Sequence, residues 1–197
     1  MKLSIRDLAF IGGESGTPIQ DELTEWVTRV QGLGDNVTGT GVQTAYNDFI
    51  AGMKTDGLWT LAYRIGVFSS DTITGLSAPL VNTKGNTTDT QIGIVGGSYT
   101  SLGLKGTASP DSHLRTGFDM GEAGLDINNL SFGAYVRDAV TSGILIGAQT
   151  AGDATRGAYI TRDATNVYAS HWNNGTQIAV ADASGVGLYI ASRVASN

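Results

Sequence analysis

The rhythm of apolar side chains changes part-way along the chain, and that change restricts the fold more than any other feature. Before Phe68 apolar residues recur every three or four positions. Leu23, Trp26, Val27 and Val30 form one helical stripe, and Val42, Ala45, Tyr46, Phe49, Ile50 and Met53 form a second. From about Ile92 the period is two. In "LSFGAYV", Leu130, Phe132, Ala134 and Val136 face one way, and Ser131, Gly133 and Tyr135 the other. "NVYAS", "QIAVA" and "VGLYIA" repeat the alternation, the last with Val186, Leu188 and Ile190 on one side. A helical stripe and a strand alternation place side chains on incompatible faces, so the chain divides into a helical first part and a β second part.

Punctuation supports the division. Thr17-Pro18-Ile19-Gln20 has the residues of a capping box, with a hydroxyl at the N-cap, proline at the first helical position and glutamine three after the cap. Gly32 and Gly34 end that helix. Thr40-Gly41-Val42-Gln43 repeats the start signal for a second helix, which stops at a Lys-Thr-Asp-Gly turn, and "DGLWTLAYRIGVF" reads as a short third helix or a helix running into a strand. In the second part Asn174-Gly175 is a hairpin signal, and "RDATN" is a further connection between "GAYIT" and "VYASHW". Ser69 to Gly97 is rich in Thr, Ser, Asn and Gly and reads as a crossing loop or linker, with one short strand at "QIGIVGG". "LKGTASPDSHLRTGF" reads as the first strand of the β body, with Leu102, Leu104 and Phe118 inward. The expectation is a mainly β protein, an antiparallel β-sandwich preceded by a small N-terminal α-helical segment. Its parts are 1–68 helical, 69–97 loop or linker and 98–197 sandwich.

Composition narrows the chemistry. Charged residues make up 15%, against roughly 25% in ordinary soluble domains, and there are 28 glycines to 3 prolines. The net charge of −6 has no basic stripe to set against phosphates, so nucleic-acid binding has no support. With no cysteine, disulfides, thiolate metal sites and cysteine nucleophiles are ruled out. "MKLSIRDLAFIGG" is too polar for a signal peptide, and no stretch approaches the roughly 20 apolar residues of a membrane span.

No constellation of catalytic residues stands out. His113 and His171 lack metal-ligand partners at helical or strand spacing. Asp119 and Glu122 in "FDMGEAGLD" could pair as glycosidase carboxylates, but two glycines in the stretch fit a solvated loop better. There is no G-x-S-x-G elbow, and "GIVGGS" and "IGGESG" lack the lysine of a phosphate cradle. The expected cofactor set is empty. Asp153, Asp163 and Asp182 fall in expected loops where calcium would be held, without a D-x-D-x-D-G string. Tyr168, Trp172 and Tyr189 invite comparison with the aromatic platforms on which sugars stack, Asn173 and Asn174 being placed to hydrogen-bond hydroxyls. Tyr168 lies outside if Val167 is in the core; the competing reading is a packing or interface residue.

Taken in order, "DGLWTLAYRIGVF", "LKGTASPDSHLRTGF", "LSFGAYVR", "VYASHWNNGTQIAV" and "GLYIASRVASN" resemble a family of phage and prophage virion proteins. In these a small helical segment precedes a jelly roll of the concanavalin-like or laminin-G-like kind. The resemblance covers most of the chain from Val42 onward. It implies a non-enzymatic structural component of a bacteriophage virion, tail-fibre, tail-associated or head-decoration in type, made in the host cytoplasm and present in several copies. Its partners would be other virion proteins and copies of itself. On this reading residues 1–68 are the attachment segment, docking through Phe49, Ile50, Met53 and Trp59. The alternative is a carbohydrate- or receptor-binding lectin-like module using Tyr168, Trp172, Asn173 and Asn174. An enzyme degrading surface polysaccharide ranks last. The family pattern usually adds a "Y.NG" hairpin after a strand like "GLYIASR". Either the sequence is cut short at Asn197, or a neighbouring subunit supplies the strand beside Val186 to Ala191.

Overall fold

The computed structural model describes residues 18–35, 40–68, 74–83, 85, 87–94, 99–100, 103–104, 112–119, 129–137, 143–150, 153–162, 167–172, 176–181 and 186–193. They form two compact units, Met1–Phe118 and Asp119–Asn197, divided at a different place from the 97/98 boundary read in the sequence. The fold is mixed: two α-helices and short antiparallel strands in small sheets, with no closed barrel among the described residues. No described helix is long and apolar enough to cross a membrane.

The first unit is built on α1 (Asp21–Gly32) and α2 (Thr40–Thr55). Leu23, Trp26, Val27 and Val30 are all buried, as the stripe requires. Each apolar side chain of this size contributes roughly 1.5–3 kcal/mol when removed from water. Both helices end in the same way. After α1 the N–H of Gly34 donates to the Gln31 carbonyl at 3.0 Å and that of Asp35 to Val30 at 3.3 Å. After α2, Gly57 donates to Lys54 at 3.1 Å and Leu58 to Met53 at 2.8 Å. These are paired Schellman closures, and each needs a left-handed residue, supplied by Gly34 at φ 84° and Gly57 at φ 71°.

The start of α1 departs from the expected capping box. Gln20 is extended and its side chain makes no capping bond, so the helix begins at Asp21. The cap comes from the other helix. Asn47 Oδ1 accepts the Gln20 N–H at 2.8 Å, while its Nδ2 donates to the Pro18 carbonyl at 3.0 Å. Lys54 Nζ adds a bond to Gln20 Oε1 at 3.1 Å and an ion pair to Glu22 at 2.6 Å. Burial pushes the Glu22 carboxyl up, but its bond to Lys54, its own backbone N–H and the lysine charge bring it below the usual range. Thr17 and the residue before Thr40 lie outside the described residues.

What fills the space against the helices is the stretch read as crossing loop or linker. Gly75 to Val81 are buried without a break, through a 3-10 turn at Gly75–Ser77 and into β2 (Val81–Asn82), which pairs with β1 (Arg64–Ile65). Ala78 and Leu80 join Leu23, Trp26, Val27, Val30 and Ile50 in one core. Trp26 donates its indole N–H to the Ala78 carbonyl at 2.9 Å, and Arg29 donates to Pro79 and Leu80 at 2.9 and 3.1 Å. Tyr46 meets the Trp26 ring edge-on at 5.0 Å. "DGLWTLAYRIGVF" forms a 3-10 turn at Trp59–Leu61 leading into β1. β3 (Thr90–Ile92) pairs with β6 (His113–Arg115), and β4 (Tyr99–Thr100) with β5 (Gly103–Leu104). The expected first strand of the β body therefore belongs to this unit; Leu104 and Phe118 are half-buried, and Leu102 lies outside the described residues.

The elements described in the second unit are strands. β8 (Gly143–Thr150), β9 (Asp153–Arg162), β10 (Val167–Trp172) and β11 (Thr176–Ala181) form an antiparallel meander. Pairing of Trp172 with Thr176 fits the hairpin expected around Asn174-Gly175, although residues 173–175 lie outside the described residues. β7 (Leu130–Val136) pairs with β12 (Gly187–Arg193) in a separate two-stranded sheet, from Gly187 opposite Val136 to Arg193 opposite Leu130. Phe132, Tyr189 and Ala191 pack with Ile146 and Ile160, so the inner face of the β7–β12 pair rests on β8 and β9.

Candidate interaction surfaces

Buried polar chemistry in the first unit centres on Arg64 and Asp89. Their side chains form an ion pair and are only 10% and 4% exposed. The Asp89 N–H donates to the Ser77 carbonyl at 2.7 Å, and Gln91 Nε2 donates to Ser77 Oγ at 2.7 Å. Burial holds the Asp89 carboxyl above its ordinary range, against the charge and hydrogen bond of Arg64. The pair clamps β1 to the segment before β3, a structural task. No group of three or more potential metal ligands occurs among the described residues.

The surface carries large apolar side chains on both units. On the first, Phe49, Leu58 and Leu61 are 44%, 49% and 69% exposed, and Tyr63 and Phe68 are also exposed. Leu58 precedes and Leu61 ends the 3-10 turn that follows the Gly57 closure. On the second, Tyr135, Leu188 and Ile190 are 69%, 64% and 62% exposed, with Val186 next to them in sequence. Tyr135 is paired with Leu188 and Gly133 with Ile190, so these positions share the outer face of the β7–β12 sheet. That face continues to Ser131 and Ser192, whose hydroxyls bond at 2.8 Å.

The residues expected to dock the helices are used differently. Ile50 is completely buried in the unit's own core, and Trp59 is half-buried and packs against the same core. Met53 is half-buried and Phe49 is exposed. The buried face of α2 is turned toward Gln43 and Asn47 because Asn47 reaches across to cap α1.

Tyr168 and Trp172, expected as part of a sugar platform, lie in β10, where Tyr168 pairs with Arg162 and Trp172 with Ala158. Asn173 and Asn174 lie outside the described residues, as do Glu122, Asp163 and Asp182. Asp153 opens β9, His113 opens β6 with its side chain exposed, His171 lies within β10, and Asp119 is exposed. The apolar face of β12 was not singled out in the sequence as a site. Its signal is a strand apolar on both sides, Leu188 and Ile190 on one and Tyr189 and Ala191 on the other.

Comparison of the chain with family models, with curated proteins and with solved structures gives no match.

Proposed function

We propose that the chain is a non-enzymatic structural component of a bacteriophage particle, tail- or capsid-associated, whose second unit is a sandwich of the concanavalin-like or laminin-G-like jelly-roll kind. The observation that carries the reading is the presence of large exposed apolar side chains on each unit, with the polar groups of the first unit engaged in holding it together. Surfaces of this kind are suited to neighbours in an assembly. In the first unit the docking role passes from Ile50 and Trp59 to Leu58 and Leu61, together with Phe49. Packing of the β7–β12 pair on β8 and β9 supports the sandwich.

The test is incorporation. A Leu58→Asp/Leu61→Asp variant keeps the fold, because both side chains point to solvent, and is expected to be lost from purified particles when these are probed by mass spectrometry. Particles that carry the variant at the wild-type level would overturn the docking role, and absence of the wild-type chain from particles would overturn the reading as a whole.

A further inference from the structure

We propose that the outer face of the β7–β12 sheet is a self-association surface, covered by the same face of a second copy of this chain in a two-fold arrangement. This deepens the self-assembly part of the function proposed above and rests on that reading for its biological setting.

One side of this sheet rests on Ile146 and Ile160, and the other carries Tyr135, Leu188 and Ile190 into solvent. Charge selects the occupant. The paired outer positions Ser131, Gly133, Tyr135, Leu188, Ile190 and Ser192 include no Asp, Glu, Lys, Arg or His, while the chain as a whole carries −6. Two copies repel over most of their surfaces, and this face lets them approach without opposing like charges.

The face also suits a copy of itself in shape. An antiparallel pair has a local two-fold character, and an isologous contact requires a patch that meets itself. Ile190 stands opposite Gly133, a position that has no room for a side chain: a Cβ there would lie 2.6 Å from the Tyr189 carbonyl oxygen and 3.1 Å from Ile190 Cγ1. The relief is therefore one aliphatic ridge between Tyr135 with Leu188 at one end and the paired serines at the other. Area sets the strength. Exposed side chains of this number and size present on the order of 500 Å2 per copy, about 1,000 Å2 for the pair, which belongs to weak, reversible association.

The experiment is sedimentation equilibrium of the full chain from low to high micromolar concentration, at two salt concentrations. Expected is a weight-average mass that rises toward the dimer with concentration, and association that holds or strengthens as salt screens the general repulsion. Leu188→Lys/Ile190→Lys should be monomeric throughout. Ile190→Thr, which keeps a β-branched side chain in the strand, should weaken association about tenfold. Phe68→Lys, a loss of exposed apolar surface on the first unit, should leave it unchanged. A wild-type chain that stays monomeric, association that weakens with salt, or loss of association in Phe68→Lys but not in the strand variants would each overturn the proposal. Dimers that form in solution by a chain absent from particles would leave this surface standing while the virion reading fails.

Discussion

Arg64 and Asp89 show how a single pair of charges ties stability to pH. Asp89 has its carboxyl raised by burial, with Arg64 opposing. A raised carboxyl holds its proton more tightly in the folded state than in the unfolded one. Its contribution to stability is then complete below the ordinary carboxylate range and is lost as pH rises through the raised value. Arg64→Met removes the opposing charge and raises Asp89 further. The variant's deficit in urea unfolding should therefore be small at pH 4 and grow toward pH 7, where an uncompensated buried carboxylate costs about 3–5 kcal/mol. A deficit independent of pH would mean that Arg64 acts only through packing. Asn47 carries a related lesson about what a sequence reveals. Its amide satisfies a helix N-terminus 27 positions away, and no local pattern announces that a polar residue will be the buried one. The stripe read on α2 was turned for this reason, and Gln43 and Asn47 took places assigned to Ala45 and Phe49.

Among elements, the α1 stripe and both helix ends were legible, because period and glycine placement are local properties. Gly57 tests the second. Its surroundings are open to a Cβ, so Gly57→Ala meets no clash and should cost only the left-handed penalty, about 1 kcal/mol, read by thermal or urea unfolding. Gly133→Ala differs in mechanism: the added carbon meets the Tyr189 carbonyl, so the β7–β12 pairing must shift, and the loss should exceed that of Gly57→Ala. Equal losses at the two positions would show that the strands tolerate the intrusion. Strand alternation was equally legible, and β7 runs buried to exposed as read. Which side of β12 faces inward was not, since both sides are apolar and the choice is made by the pairing of Ala191 with Phe132 and by Ile160 beneath it. The segment Gly75 to Val81 was missed because its apolar run is too short to show a period and is flanked by residues typical of loops. The continuous string "GLSAPLV" was the available sign.

At the scale of the molecule, the chain divides into two units, each with its own apolar cluster. The helices needed a buried partner, and the chain supplies one from its next forty residues instead of leaving the helical face for a neighbour. On the proposed function, docking falls to side chains that this core does not use. The indole proton of Trp26 offers a clock for that unit. It is held by the Ala78 carbonyl in a site with no exposed surface, so it can trade with deuterium only when helix and core segment part company. In heavy water its NMR signal should outlast that of the half-buried Trp59, and its decay rate would report how often the anchor half comes apart inside an otherwise intact molecule.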